Sequence, residues 1–209
     1  YDVCTQQPPR MPSIHKRAPP IVPDDSRRVR SFNYVADARA TILILGSMPG
    51  AASLRAGQYY AHPRNLFWPI LGELVGAGPD LAYAARLARL KAQGIALWDV
   101  LEYCAREGSL DARIEASSLV PNDFARFFMQ HRRIRRICFN GAAAENMFLR
   151  HVLPRLRAGK AGLDVQTLRL PSTSPAHAAM RFEKKLAAWR AALAAPTPTP
   201  TPTPKPYPT

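Results

Sequence analysis

Four short apolar runs punctuate the middle of the chain, and stretches with helical spacing lie between them. Residues 41–45 (TILIL) read as a buried strand running into Gly46. Residues 95–100 (IALWDV), 135–140 (RRICFN) and 164–170 (DVQTLRL) are the other strand candidates, most of them marked by β-branched or aromatic residues. Phe67, Trp68, Leu71, Leu74 and Val75 form one helical stripe, and residues 81–90 carry another. The first of these helices is expected to begin near Pro63, with His62 as N-cap and Pro63 in the first position. Asn122 is expected to cap a helix bearing Phe124, Phe127 and Phe128, and residues 141–151 follow the third strand at once. Ser174 and Pro175 can start the last helix, which carries Phe182, Leu186, Trp189 and Leu193 on its stripe, with Lys184, Lys185 and Arg190 off it.

Strands alternating with helices predict an α/β fold. The expectation is a single three-layer αβα domain over residues 31–195, with a central, mostly parallel four-stranded sheet covered on both faces. In such sheets ligands bind at the carboxyl ends of the strands. The loops after Leu45, Trp98 and Leu170 are therefore the ones to search.

The ends read differently. Residues 1–30 are rich in Pro, Arg and Ser without an apolar period, which predicts a flexible basic arm, with Met11 as the expected natural start. Residues 196–209 (PTPTPTPTPKPYPT) predict an extended, solvated polyproline-type tail. No apolar run approaches the roughly 18 residues that span a bilayer, and the polar start lacks the basic-then-apolar order of a signal peptide. Cys4, Cys104 and Cys138 are too few for a disulfide framework, a four-cysteine zinc site or a four-cysteine iron–sulfur cluster. These readings predict a cytoplasmic monomer, nucleoid-associated if bacterial, with neither membrane nor metal cluster. Lys plus Arg number 29 against 15 Asp plus Glu, a net charge of +14 that favours a polyanionic partner over a merely basic tail.

Three segments carry candidate chemistry. Gly46-Ser47-Met48-Pro49-Gly50 forces a tight turn whose amides can meet an anion or a base edge, although an ordinary strand-to-helix loop explains it too. It is not a phosphate-binding P-loop, because no Gly-Lys-Ser/Thr follows. In residues 58–65 (QYYAHPRN), Tyr60 offers a ring for stacking and Asn65 both a donor and an acceptor. The alternative is that Tyr59 and Tyr60 pack the rim and Asn65 is a local cap. In residues 170–177 (LPSTSPAH), hydroxyls and amides at a helix start suit a phosphate, or form a simple cap.

The combination of GSMPG, QYYAHPRNLFW and LPSTSPAHA, in order over about residues 40–190, resembles the uracil-DNA glycosylase superfamily, and above all its hypoxanthine-DNA glycosylase branch, often called family six. In mismatch-specific uracil- and thymine-DNA glycosylases, an aromatic followed by Ala, a Pro, an Asn and Phe-Trp lies at the same distance from a GINPG turn. Residues 170–177 are similar to the superfamily's Pro-Ser loop, which grips the strand and wedges into the duplex. One departure is informative: Met48 stands where uracil-cleaving relatives place an Asn that holds the attacking water. A thioether cannot orient water as an amide does. The hypoxanthine branch also lacks that Asn.

The resemblance implies a monofunctional hydrolase that flips a deaminated base out of DNA and leaves an abasic site, without metal or redox cofactor. It implies Asn65, then His62, as catalytic residues. Ser47, Met48, Tyr60 and Asn140 are the expected base-binding residues, Asn140 being a strand-end cap in the alternative reading. Ser172, Thr173, Ser174, Pro175 and His177 are the expected DNA contacts. Asp99 either polarises His62 or a water, or caps a loop. The basic run 132–136 (RRIRR) attracts phosphates or is a solvated face, and no lysine inside the motifs suggests Schiff-base chemistry. The alternatives are a mismatch-type uracil/thymine-DNA glycosylase, a catalytically weak protein that binds lesions in DNA, and a nucleotide-handling α/β enzyme.

Overall fold

The computed structural model describes residues 28–159 and 165–194. The arm expected over 1–30 is represented only by its last three residues. The expected start at Met11 and the Pro/Thr tail lie outside the described residues.

The four expected strands form one wholly parallel sheet. They are β2 (Ile42–Gly46), β3 (Ile95–Asp99), β6 (Arg136–Asn140) and β7 (Gln166–Leu170), in the spatial order β3-β2-β6-β7. Their side chains alternate between two cores, as the two-residue period of a strand requires. Leu43, Leu45, Ala96, Trp98, Ile137 and Phe139 feed one core; Ile42, Ile44, Ile95, Leu97 and Cys138 feed the other. With both faces apolar, helices must cover both; the short α1 (Ala51–Ala56) follows the turn after β2. On the first face lie Phe124 and Phe127 of α4 (Phe124–Gln130) and Leu156 of α6 (Leu153–Ala158), with Phe148 from the π-helical turn that joins α5 (Ala142–Met147) to α6. On the second lie Phe67, Trp68 and Leu71 of α2 (Phe67–Val75), Leu90 of α3 (Tyr83–Ala92) and Trp189 of α7 (Phe182–Ala194). A fully buried side chain of this kind stabilises the fold by roughly 1.5–3 kcal/mol, so the strand ends are firmly held and the loops that leave them start from fixed points.

A second sheet was not expected. It is antiparallel, in the order β1 (Arg28–Arg30), β4 (Leu101–Ala105), β5 (Val120–Pro121). β1 and β5 have only three and two residues, too few to show alternation, and β4 (LEYCA) buries Leu101 and Cys104 at a spacing of three rather than two. The guanidinium groups of Arg28 and Arg30 lie 4.7 and 5.2 Å from the Tyr103 ring centroid, so cation–π attraction adds to the pairing of β1 with β4.

Three helix starts differ from expectation. The helix expected at Pro63 starts at Phe67, because His62 and Asn65 close a turn of their own: Asn65 N–H donates to the His62 carbonyl (2.8 Å). Asp123, not Asn122, caps α4, its carboxylate accepting from Arg126 N–H (3.0 Å), while Asn122 donates to the Asp99 carbonyl (2.9 Å). Ser174 and Pro175 begin only a short 3-10 turn (Pro175–His177), and the last helix starts at Phe182. Lys185, expected off the apolar stripe, is 1% exposed.

Candidate active site

Because the sheet is parallel, Gly46, Asp99, Asn140 and Leu170 all end their strands at one edge, with Gly46 opposite Asp99 and Asn140 opposite Leu170. The loops leaving this edge enclose a cavity of about 150 Å³. That is room for a flat heterocycle.

The turn after β2 forms one wall. The carbonyls of Gly46 and Ser47 accept from Val100 N–H (2.8 Å) and Leu101 N–H (3.1 Å), and Arg106 donates to the Pro49 carbonyl. Ser47 and Met48 line the cavity. The Ser47 hydroxyl donates to Asp111 Oδ2 (2.7 Å), and Met48 is buried against the core.

The aromatic segment forms the opposite wall, and its two tyrosines divide the alternatives. Tyr59 is a packed residue, 3% exposed, with its carbonyl accepting from Trp68 Nε1 (2.8 Å) and its N–H donating to the Tyr83 hydroxyl (2.9 Å). Tyr60 holds a left-handed backbone (φ 55°), a conformation a bulky residue adopts only when its surroundings impose it. Its ring stacks on Phe67 at 4.0 Å, which leaves the other ring face as the one a base can use. His62 and Asn65 reach the same cavity. Asn65 Oδ1 accepts from Phe67 N–H (2.9 Å), so the local turn is real, but it uses only the oxygen. The Nδ2 group is the part of that side chain left for a substrate or a water. His62 Nδ1 accepts from Arg64 N–H (3.1 Å), which puts the proton of a neutral ring on Nε2.

The third wall is the loop after β7. Thr173 is fully buried, although it was expected among the DNA contacts, and it ties the site together. Its N–H donates to Asn140 Oδ1 and its hydroxyl accepts from Asn140 Nδ2, both at 2.8 Å, and its carbonyl accepts from Leu66 N–H (3.0 Å). Asn140 thus spends one donor and one acceptor on the loop and keeps one of each for a base edge. Ser172, Ser174 and Pro175 line the cavity, and His177 stands exposed just beyond it. Beneath the loop the Lys185 ammonium donates to the carbonyls of Ser172 (2.7 Å) and His177 (2.8 Å). Gly141 (φ 100°) lets β6 and this loop meet, because a Cβ there would stand 2.9 Å from that of Ser172.

Two carboxyls reach the cavity, and burial raises both. Asp99, 3% exposed, is pushed up to about 8, mostly by desolvation; the nearby Asp111 charge adds to this, while Tyr59 and Arg106 oppose it. Desolvation also raises Asp111 above the usual carboxylate range, against the pull of the Ser47 hydrogen bond and Arg106. Burial, then the Asp99 charge, pushes the Tyr60 hydroxyl well up.

Ten of the eleven residues expected to act in catalysis, base binding or DNA contact line this one cavity, as does Asp99, and the eleventh, His177, follows Pro175 by two residues. Asp111, Ser109, Arg106 and Lys185 were not singled out. The first three lie in and around β4 and the loop after it, 57 to 64 residues from the turn they support, and carry no motif. Lys185 had a readable signal, since it lies three residues after Phe182 and four before Trp189, on the buried face. The basic run 132–136 lies at the opposite end of β6 from the cavity: Arg136 starts β6 whereas Asn140 ends it at the cavity, and Arg136 is buried, donating to Gln166 Oε1 (2.9 Å) and the Ala192 carbonyl (2.8 Å), while Arg132 and Arg133 are exposed. Among the described residues no group of three or more His, Cys, Asp and Glu side chains is placed to hold a metal ion, and no helix is long and apolar enough to cross a membrane.

The family model for the uracil DNA glycosylase superfamily matches residues 32–195. The chain is 40% identical over 156 residues to a hypoxanthine DNA glycosylase of Methanosarcina acetivorans, covering 74% of this chain and 90% of that protein. It is 39% identical over 113 residues to a hypoxanthine DNA glycosylase of Methanosarcina barkeri, covering 54% of this chain and 70% of that protein. The solution structure of a Methanosarcina acetivorans protein assigned as a uracil DNA glycosylase superposes with a TM-score of 0.64 at 36% identity, covering 79% of this chain and 96% of the other.

Proposed function

The chain belongs to the uracil DNA glycosylase superfamily, and from that membership we infer that it is a hypoxanthine-DNA glycosylase, hydrolysing the N-glycosidic bond of deoxyinosine in DNA to leave an abasic site. The observation that supports this reading best is the meeting of Tyr60, Asn65 and Asn140 with the Ser47–Met48 turn around one base-sized cavity. Two relatives named hypoxanthine DNA glycosylase support the choice of base.

A base inside a duplex is out of reach, so the lesion is flipped out, at a cost of a few kcal/mol that is smallest for mispaired bases. Hypoxanthine, deaminated adenine, pairs imperfectly opposite thymine. The flipped base stacks on the open face of Tyr60. The backbone of Ser47 and Met48 and the spare donor and acceptor of Asn140 meet its edge. Ser172, Ser174 and His177 hold phosphates beside the lesion, with Pro175 as the wedge, while Thr173 pins their loop. Met48 offers no group to orient a water, so that task falls to the Asn65 amide, with His62 beside it. The protein acts as a monomer, in the compartment that holds the DNA, and its positive charge draws it there.

The test is release of free base from duplexes carrying inosine, uracil or xanthine, with enzyme in excess. Release from inosine above all is the expected result. Release chiefly from uracil would move the assignment to the mismatch-type enzymes. Tight lesion binding without any base release would replace the enzyme by a lesion-binding protein.

A further inference from the structure

The floor of the cavity holds a carboxyl that none of these roles uses. Asp99 ends β3 directly opposite Gly46, is 3% exposed and lines the cavity. Its Oδ2 is buried with no hydrogen-bond partner, and so is the hydroxyl of Tyr60. Both side chains converge over Gly46: a Cβ there would stand 2.5 Å from Asp99 Oδ1 and 3.0 Å from the Tyr60 oxygen. A buried polar atom without a partner calls for an explanation, and on a carboxyl that lines a base-sized cavity it points to a ligand edge as the missing partner.

Resting on the glycosylase reading above, the geometry points to Asp99 as a catalytic acid that, in its neutral form, gives its carboxyl proton to the flipped base as that base departs. A neutral carboxyl presents a donor O–H next to an acceptor oxygen, the complement of a ring N–H next to an oxo group on a 6-oxopurine. A carboxylate would present only acceptors and would set a negative charge against the oxo oxygen. As the bond from the anomeric carbon to the base breaks, its electron pair goes to the base. The Asp99 proton joins the base, which leaves neutral rather than as an anion. The water oxygen bonds to the anomeric carbon, and the proton it loses returns to the Asp99 carboxylate.

The groups facing Asp99 come from several elements, and the Tyr83 phenol of α3, held by Tyr59 N–H, also feels its charge. The Tyr59 hydroxyl lies between the Asn33 carbonyl (3.4 Å) and the carboxyl. The Tyr60 hydroxyl lies over Gly46, and Asp111 is held by Ser47. Arg106 is fixed on the carbonyls of Pro49 and Gly108, and His62 lines the same cavity. Burial dominates this set and holds Asp99 at about 8, so the carboxyl keeps its proton at neutral pH.

The experiment is single-turnover base release from an inosine duplex, enzyme in excess, between about pH 6 and 9.5, for the parent, Asp99→Asn and Tyr60→Phe. The parent rate is expected to fall tenfold per pH unit above about 8. Asp99→Asn should bind the duplex within about twofold, release base about 100-fold more slowly at neutral pH, and show no alkaline fall. Tyr60→Phe, which keeps the ring, should lose less and keep the fall. An Asp99→Asn enzyme with the parental rate, or with the alkaline fall intact, overturns the acid role. Should that variant not fold, as read by circular dichroism, the parent profile decides alone, since a rate that is level or rising from neutral pH to about 9.5 overturns it too. A parent that releases no base from inosine, uracil or xanthine sinks the glycosylase reading and the acid role with it. An active parent with an unaffected Asp99→Asn sinks the acid role only.

Discussion

Gly46 and Asp99 face each other across β2 and β3 so closely that a methyl on Gly46 would stand 2.5 Å from Asp99 Oδ1. The glycine is there for space and not for backbone freedom, since its φ is not left-handed. Gly46→Ala should therefore fold and push Asp99 and Tyr60 off their places. A displacement of about 1 Å in a reacting group can cost about 100-fold in rate. The expected outcome is a fall of that order in single-turnover base release, with duplex binding largely kept. Parental release from Gly46→Ala would mean that the chemistry does not depend on this floor.

Asn65 has two separable duties. Its Oδ1 closes a turn onto Phe67 N–H, and its Nδ2 is the candidate group for the water. Asn65→Ala loses both and should cost roughly 1 kcal/mol of stability. Asn65→Asp keeps an acceptor for Phe67 N–H and should recover that stability. Both variants should lose base release by about 100-fold or more. Thermal melts and single-turnover rates read the two duties apart. An Asp variant at the parental rate would remove the amide from the mechanism.

The parallel sheet was legible because Ile42, Leu43, Ile44 and their counterparts in β3 and β6 are short, apolar and largely β-branched or aromatic, and the loops at their carboxyl ends follow from that arrangement. Tyr60, Asn65 and Ser172 could be placed at one site because each follows its strand within a few positions or within one recognisable motif. Asp111 could not, since only tertiary folding brings it to Ser47, 64 residues away. Lys185 was misread by its charge although its spacing was right: two carbonyls, not solvent, receive its ammonium. Pro63 fits a first helical position by type, yet the turn closed by His62 and Asn65 takes precedence and delays the helix to Phe67.

Lys185 should act on binding more than on chemistry. Lys185→Met keeps the apolar stem and removes the ammonium, leaving the Ser172 and His177 carbonyls without their donor. Unpaired buried acceptors cost roughly 1–3 kcal/mol, and the loop that carries Ser172 and Ser174 loses its support. We expect a lower melting temperature and a several-fold weaker Kd for the inosine duplex. The single-turnover rate at saturating enzyme should fall less than the affinity. Equal loss in both would make Lys185 part of the reacting geometry; no loss of affinity would show that the loop holds its shape without it.

Burying Asp99 should make stability depend on pH in a defined direction. Its carboxyl titrates at about 8 in the folded protein against 3.8 as an ordinary side chain. Between those values the folded protein holds a proton that the unfolded chain has released, so stability falls as pH rises through the window, and the full penalty stands above about 8. At about 1.4 kcal/mol for each pH unit of that window, the ceiling is on the order of 6 kcal/mol. Asn at this position does not titrate. The stability gap between Asp99→Asn and the parent should therefore widen in favour of Asn from about pH 4 to about 8 and stay level above. Asp111 titrates in both proteins, so its own raised pKa largely cancels from the comparison. Urea unfolding of the two proteins at successive pH values measures the gap. A variant that gains stability with rising pH while losing base release would identify Asp99 as a residue kept for function at the expense of the fold. Parallel stability curves would instead mean that Asp99 is already ionised in the folded protein at low pH, and its proton would then not be available to the base.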